Sequence, residues 1–260
     1  MASAQIQMGL KQHIGLLGHP VSHSQSPALF APLFDTDLLD WEYQLIDVAT
    51  EEGLLKKLSS PLYTGFNVTI PYKQAVLKHV SNRSPRVTRI GATNTLYRLE
   101  NGDWMAENTD YDGFLATFNK GRLEWKFSPK QALILGTGGS SKAVQAVLED
   151  LHIPYQSVSR TPSAQQLSYS DLLTHNRESC LVVNCTPLGM KPDTQSSPLS
   201  DLRFLKGPSA LIDLVYNPSQ TRLMQQFQSS GHWATNGSLM LRVQAEAAWN
   251  LFRTHTWNPE

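Results

Sequence analysis

The chain has 260 residues, and its 22 lysines and arginines balance 22 aspartates and glutamates, so the formal net charge at pH 7 is zero. Nucleic-acid binding usually shows as a basic face or an excess of Lys and Arg, and the sequence has neither in sum nor a basic run. Disorder needs low hydrophobicity with high net charge; 40% hydrophobic residues and no net charge exclude it.

The first twelve residues, MASAQIQMGLKQ, hold no apolar core of a signal peptide. No apolar run approaches the ~18 residues of a membrane span. A soluble, cytoplasmic protein is expected, and at this length two domains are common. Cys180 and Cys185 lie five apart. In a strand that odd separation places them on opposite faces, roughly 16 Å apart along the chain, too far for a disulfide.

In chain order, His13 to Gly18 is a buried-strand candidate. Ser26-Pro27 can cap and open a helix to about Asp37, with Pro at its first position. Trp41 to Val48 reads as a strand, and Thr50-Glu51-Glu52 opens a helix with acids in its first turn. Gly65 to Ile70 is a strand and Lys73 to Val80 a short helix. This alternation points to βαβ units and a mostly parallel sheet. Thr95 to Leu99 and Asp103 to Glu107 flank Asn101-Gly102, a hairpin signal. The expected domain boundary follows, near Asn108 to Asp110.

Asp110 to Lys120 reads as a helix, and a second alternation begins after it. Its strands are Gln131 to Leu135, Tyr155 to Ser159, Cys180 to Cys185 and Ala210 to Val215. Its helices are Gly139 to Asp150 and Pro218 to Ser229, and Ser238 to Phe252 closes the chain. Pro187 to Gly207 reads as a loop.

The strongest local signal is LILGTGGSSKA, Leu133 to Ala143. An apolar strand runs into glycines and then a helix, where backbone and helix N-terminus can receive a pyrophosphate. Gly136 and Gly138 fit G-x-G-x-x-G/A, while Ser141 stands at the last position. An NAD site should carry an acid roughly 20 residues on. The next strand instead ends in Ser159-Arg160-Thr161, and an Arg there suits the 2′-phosphate of NADP.

The first half carries polar clusters at strand ends: His23 to Pro27, Asn67 to Lys73, Gly91 to Thr95 and Glu107 to Asp110. In open α/β sheets ligands bind at the carboxyl ends of strands, and these side chains suit a small polyhydroxylated acid. Each also has a plain structural reading: Ser26 as a helix cap, Asn94-Thr95 as a turn, Lys73 as a surface lysine, Asp110 as a helix cap. His13, His23, His79, His152, His175, His232 and His255 share no metal-ligand spacing. His19 precedes His23 by four, but Pro20 makes that stretch a loop. No metal is expected, and without a G-x-S-x-G elbow a hydrolase triad has no anchor.

With these residues in view, the sequence resembles the shikimate dehydrogenase family along nearly its whole length. GHPVSHSQSP resembles that family's G-x-P-x-x-H-S-x-S-P. NVTIPYK, GATNTL, NTDYDGF, GTGGSSKA, SRT, NCTPLGM, DLVYNPSQTRLM and NGSLMLRVQA follow in the family's order. The resemblance implies an α/β architecture: an N-terminal three-layer substrate domain (1–108), a Rossmann-type NADP-binding domain (109–236) and a C-terminal helix (237–260) packing back on the first. It implies reversible, NADP-dependent interconversion of 3-dehydroshikimate and shikimate, with no nucleic-acid or membrane partner. Monomer and homodimer are both compatible with it.

By the same resemblance Lys73 is the acid/base residue, with Asp110 beside it. Ser24 and Ser26 hold the substrate carboxylate. Asn67, Thr69, Asn94, Tyr216 and Gln244 contact hydroxyls or position the ring. Gly136, Thr137, Gly138, Gly139, Ser140, Ser159, Arg160, Thr161, Leu214 and Gly237 line the cofactor. The chain departs from the family pattern at Thr137 and Ser140, where Ala is usual, and at Ser159, where Asn is usual. Ala106 and Tyr111 stand where Gly is common. A second basic residue is missing near Ala164 and Gln165, leaving the 2′-phosphate to Arg160, with Lys142 as a candidate helper. Two alternatives are a quinate/shikimate dehydrogenase with relaxed NAD/NADP use and a non-catalytic NADP-binding sensor.

Overall fold

The computed structural model describes residues 11–174, 176–255 and 257. The N-terminal segment read for a signal peptide, apart from its last two residues, lies outside the described residues, as does His175. Two compact units form, one from Met1–Thr109 with Ala245–Glu260, the other from Asp110–Gln244. Among the described residues, no helix is long and apolar enough to cross a membrane.

In the first unit the order is β1 (Gln12–Gly18), α1 (Ser26–Phe34), β2 (Trp41–Asp47), α2 (Glu51–Leu58), β3 (Tyr63–Val68) and α3 (Tyr72–Ala75). Then come β4 (Asn82–Arg83), α4 (Pro85–Ile90), β5 (Thr95–Arg98) and β6 (Trp104–Glu107). The sheet order is β2-β1-β3-β5-β6-β4. β1 is parallel to β2 and β3, while β5 is antiparallel to both its neighbours. The sheet is therefore mixed. The Asn101-Gly102 hairpin reverses the chain, with Gly102 at φ +82, a conformation glycine adopts without a Cβ penalty. After two reversals β6 runs in the same direction as β3.

Side chains alternate across this sheet, as strand geometry requires. One face carries Leu17, Ile46, Phe66, Val68 and Leu96, covered by Leu54 and Leu58 of α2, Tyr72 of α3 and Val87 of α4. The other carries Ile14, Trp41 and Tyr97, covered by Phe30 of α1 and by Ala245, Ala248, Trp249 and Phe252 from the end of the chain. These are three layers, α on β on α.

The second unit holds α5 (Asp110–Glu124), β7 (Gln131–Leu135), α6 (Gly139–Asp150), β8 (Tyr155–Ser159), β9 (Leu167–Ser168), β10 (Arg177–Glu178) and β11 (Cys180–Asn184). It continues with β12 (Leu205–Lys206), β13 (Ala210–Asp213), α7 (Arg222–Ser229), β14 (Trp233–Thr235) and α8 (Ser238–Thr254). Its six-stranded sheet, β14-β13-β11-β7-β8-β9, is parallel throughout. Ala132 and Ile134 face α5 and α6, and Leu133 and Leu135 face the opposite core with α7. This is the doubly wound arrangement of a Rossmann-type domain. α8 serves both units: Met240 belongs to the second core, and its later residues to the first.

Several sequence expectations shift at their ends. The first helix stops at Phe34, short of Asp37, and the helix expected from Pro218 starts at Arg222. Thr221 sets that start, because its Oγ1 caps the Met224 amide at 3.2 Å. The α5 helix runs on to Glu124, and the 187–207 loop ends in the short β12. Cys180 and Cys185 face opposite cores and form no disulfide. Burial pushes the Cys180 thiol up to about 12.

The close approach of α8 to β3 depends on Gly65. A Cβ there would sit 2.5 Å from the Phe252 ring and 3.2 Å from Ile14 Cγ2. Overpacking of this kind costs about 1–3 kcal/mol. Gly65→Val should therefore lower stability by about that amount in urea or thermal unfolding. An unchanged midpoint would show that Phe252 is not held against the strand.

Candidate active site

In the first unit β1, β2, β3 and β6 all end at one edge of the sheet, and β5 begins there. Connectivity thus gathers the residues after β1 (Ser24, Ser26), after β3 (Thr69, Lys73), before β5 (Asn94) and after β6 (Asn108, Thr109). Asn67, near the end of β3, pairs with Leu16 of β1 and Thr95 of β5.

Ser26 is not the helix cap that the sequence suggested. The cap position falls to Gln25, which makes no side-chain cap bond. Ser26 lies in the first turn, 7% exposed, and its Oγ accepts from Ser24 Oγ at 3.1 Å. Ser24 Oγ also accepts from the Ser26 amide at 3.2 Å. Two neighbouring hydroxyls are thereby fixed in one loop.

Asn67 is 5% exposed. Its Oδ1 accepts from the Tyr43 phenol at 2.9 Å, and its buried Nδ2 has no hydrogen-bond partner among the described residues. Most buried polar groups find a partner, and one left over needs a reason. Asn94 contrasts with it. Its Oδ1 accepts from the Thr109 amide at 2.7 Å, and its Nδ2 donates to Thr109 Oγ1 at 2.9 Å. Asn94 is buried in the chain's own interactions, and the turn reading fails for it.

Lys73 is half-buried in α3, and its carbonyl accepts from the Thr93 amide at 2.8 Å. Thr93 Oγ1 in turn donates to the Glu107 carbonyl at 2.6 Å, and Asn108 Nδ2 to the Ala92 carbonyl at 2.8 Å. The segment that positions Lys73 is stitched to the segment leaving β6. Thr69 follows β3, its amide bonded to the Leu17 carbonyl at 2.9 Å. Thr93 and Asn108 fall within the polar clusters read from the sequence, which did not single them out; Tyr43 carries no sequence signal, and its bond to Asn67 reveals it.

Asp110, Tyr216 and Gln244 belong to the second unit. Asp110 is 4% exposed and is the first residue of α5. Gly113 lies one turn further, where a Cβ would meet the Met240 carbonyl at 2.6 Å and Gln244 Cβ at 3.3 Å. The missing side chain lets α5 and α8 touch, which brings Gln244 within a turn of Asp110. Tyr216 follows β13 and is half-buried.

The glycine turn after β7 has the features of an anion cradle. Gly136 sits at φ +97 and packs on Thr186. Gly138 is the α6 cap residue, brings no capping side chain, and has open space where a Cβ would stand. The first N–H groups of a helix lack intrahelical partners and favour anions, so Thr137, Gly139 and Ser140 flank a site a phosphate fits. Ser141, irregular in the sequence pattern, is fully buried and donates to the Gly138 carbonyl at 2.6 Å. A small residue is what that contact needs, and Ser meets it.

At the end of β8, Ser159 Oγ accepts from the Thr161 amide at 3.2 Å, while Arg160 is exposed. Ser159 pairs with Ser168 of β9, so Tyr169 and Arg160 leave adjacent strand ends. Burial raises the Tyr169 phenol, and the Arg160 charge opposes it. Leu214 and Gly237 lie against each other: a Gly237 Cβ would run into the Leu214 carbonyl oxygen. Beneath Leu214, the Asp213 carboxylate is wholly buried and accepts from Thr221 Oγ1 at 2.6 Å, Asn184 Nδ2 at 2.9 Å and the Val215 amide at 3.1 Å. Burial raises its pKa against the pull of these bonds. The sequence motif that contains Asp213 assigns it no role; the structure shows it bracing two strand-end loops. Among the described residues, no group of three His, Cys, Asp or Glu could hold a metal.

The chain is similar to known proteins along most of its length. Residues 16–96 match the family model of the shikimate dehydrogenase substrate binding domain. The chain is 33% identical to shikimate dehydrogenase (NADP(+)) of Symbiobacterium thermophilum, over 91% of this chain and 87% of that one. It is similar to the crystal structure of shikimate dehydrogenase 1 from Peptoclostridium difficile, at 30% identity and a TM-score of 0.81, covering 95% and 93% of the two chains. A Thermus thermophilus shikimate 5-dehydrogenase, solved in complex with NADP(H) and shikimate, matches at 31% identity and a TM-score of 0.78, covering 94% of each chain.

Proposed function

The chain belongs to the shikimate dehydrogenase family, and from that premise we propose the roles of its individual residues. The protein is an oxidoreductase acting on a CH–OH group. It carries out the reversible, NADPH-dependent reduction of 3-dehydroshikimate to shikimate, a step towards the aromatic amino acids. The observation that carries the site assignment is the buried, unpartnered Nδ2 of Asn67 at the carboxyl edge of the first sheet. A donor desolvated without a partner costs free energy, and a ligand hydroxyl would satisfy it.

Around that donor the roles follow from chemistry. Ser24 and Ser26 offer two fixed hydroxyls to the substrate carboxylate. Asn67 and Thr69 read ring hydroxyls. Asn94 holds the edge together and, with Tyr216 and Gln244, completes the positioning set. Lys73 and Asp110 are the acid–base residues. As the C3 ketone is reduced, negative charge builds on its oxygen, and the Lys73 ammonium donates a proton to it. In the reverse direction the neutral amine takes the hydroxyl proton back.

NADPH, when bound, supplies the hydride. Gly136, Thr137, Gly138, Gly139 and Ser140 are proposed to hold its pyrophosphate, and Ser159, Arg160 and Thr161 its ribose 2′-phosphate. Leu214 and Gly237 form the wall beside the nicotinamide. Residues 1–108 then serve the substrate, 109–236 the cofactor, and 237–260 close back on the first segment. Cys180 and Cys185 form no disulfide, which fits work in a reducing compartment such as the cytoplasm.

Three measurements test these assignments. Rates with shikimate and quinate, each with NADP and NAD, should be highest for shikimate with NADP; absence of shikimate-dependent NADPH formation would overturn the reading. Lys73→Ala should lower kcat by about 10²–10⁴-fold, with shikimate binding by calorimetry changed far less, and near-normal turnover would remove Lys73 from proton transfer. Arg160→Ala should raise the KM for NADP by roughly tenfold or more, the scale of a lost charge-assisted bond, and leave the KM for NAD nearly unchanged. Equal effects on both cofactors would reject the 2′-phosphate role.

A further inference from the structure

Asn67 cannot set its own orientation. An amide offers a carbonyl to one side and an NH₂ to the other, and a half-turn about its last bond exchanges them. Its side chain is anchored through Tyr43, whose phenol donates to Oδ1 at 2.9 Å. That bond turns Nδ2 away from Tyr43 and leaves it as the buried donor without a partner.

Tyr43 is itself held from a direction that matters. Its ring stacks on Phe30, centroids 4.5 Å apart and planes 28° apart. Phe30 is 1% exposed and lies one helical turn after Ser26, on the same face of α1. Phe252 of α8 also packs against Phe30, with centroids 6.2 Å apart. Strand register agrees: Tyr43 pairs with Ile14, Asn67 with Leu16, and residues two apart on β1 share a face. A continuous path of packed groups therefore runs from Ser26 through Phe30 and Tyr43 to Asn67.

We propose that Tyr43 is a positioning residue for the substrate: its hydroxyl fixes the Asn67 amide with the donor side towards the substrate hydroxyl, and its ring ties that amide to the helix carrying Ser26. The inference rests on the assignment of Asn67 to shikimate. Tyr43 touches no reacting atom and acts through Asn67.

Tyr43→Phe keeps the ring and its stacking and removes only the hydroxyl. It should raise the KM for shikimate about fivefold, the scale of one neutral hydrogen bond. The kcat should stay within about twofold and the KM for NADP unchanged, a split that general loosening of the unit would not produce. Asn67→Ala and the double variant complete a cycle. If Tyr43 works through Asn67, Tyr43→Phe adds no further loss in the Asn67→Ala background. Independent, additive losses would overturn the proposal, as would an unchanged shikimate KM in Tyr43→Phe. Wild-type turnover with shikimate in the same assay keeps this outcome separate from a failure of the assigned reaction. If Asn67→Ala does not fold, calorimetric binding of shikimate to Tyr43→Phe decides the matter: an unchanged Kd overturns the proposal and a raised one supports it.

Discussion

The buried clamp of Asn94 on Thr109 is the constraint on which the carboxyl edge of the first sheet depends. Three stretches of chain must meet there: the exit of β3, the entry of β5 and the exit of β6. None carries a ladder of strand hydrogen bonds beyond the sheet, so side chains must supply the partners that buried backbone needs. Asn94 does this with both ends of its amide, taking the Thr109 N–H and giving to its hydroxyl. Thr93 and Asn108 repeat the device on either side, bonding the Glu107 and Ala92 carbonyls. A buried group robbed of such a partner costs about 1–3 kcal/mol, so these polar residues cannot be exchanged singly without loosening the edge. Lys73 inherits its place from this network through the Thr93 amide.

Much of the fold was legible because periodicity reports burial directly. β7, α6 and β8 fall where apolar runs and the glycine turn place them, and Cys180 and Cys185 face opposite cores as an odd strand separation demands. One error came where a dipeptide has two uses. Ser-Pro occurs at Ser26-Pro27 and again at Ser84-Pro85. At Ser84 the backbone is extended, and its Oγ caps the Val87 amide at 3.1 Å. Before Ser26, Gln25 is already helical in φ and ψ, so the serine is carried inside the turn and its hydroxyl is released for other work. Whether a chain enters a helix extended or already curled is decided by the preceding tertiary path, which the dipeptide does not encode. The short α4 went unread for the same reason, although its cap was in plain sight.

The candidate residues show a similar limit. Asn67 and Asn94 are both amides beside a strand end, and nothing local distinguishes them. Packing does: one is spent on Thr109, and the other is left with an unused donor. Tyr43 was invisible from sequence because an aromatic in a half-buried strand is ordinary core. Its role appears only when the strand register sets its hydroxyl against the Asn67 amide. The glycine turn, by contrast, was readable as a turn, since its backbone geometry is one that only particular residues permit.

The charge balance takes its meaning from this construction. Both proposed ligands are anions, yet the chain has no net charge to attract them. On the proposed assignment it would meet them with Lys73, Arg160, hydroxyls and helix N–H groups, and apart from the two cations these donors act only at hydrogen-bond range. Their energy falls away within a fraction of an ångström of misplacement, whereas a net charge would still be felt across a Debye length. A site of this kind must be built before the ligand arrives. That requirement explains why the residues behind it are so tightly specified: Phe30 stacked on Tyr43, Gly65 flush against Phe252, Gly113 flush against α8, and Gly237 flush against Leu214. Each closes a gap in the packing around the proposed donors, which have no long-range field to compensate for slack.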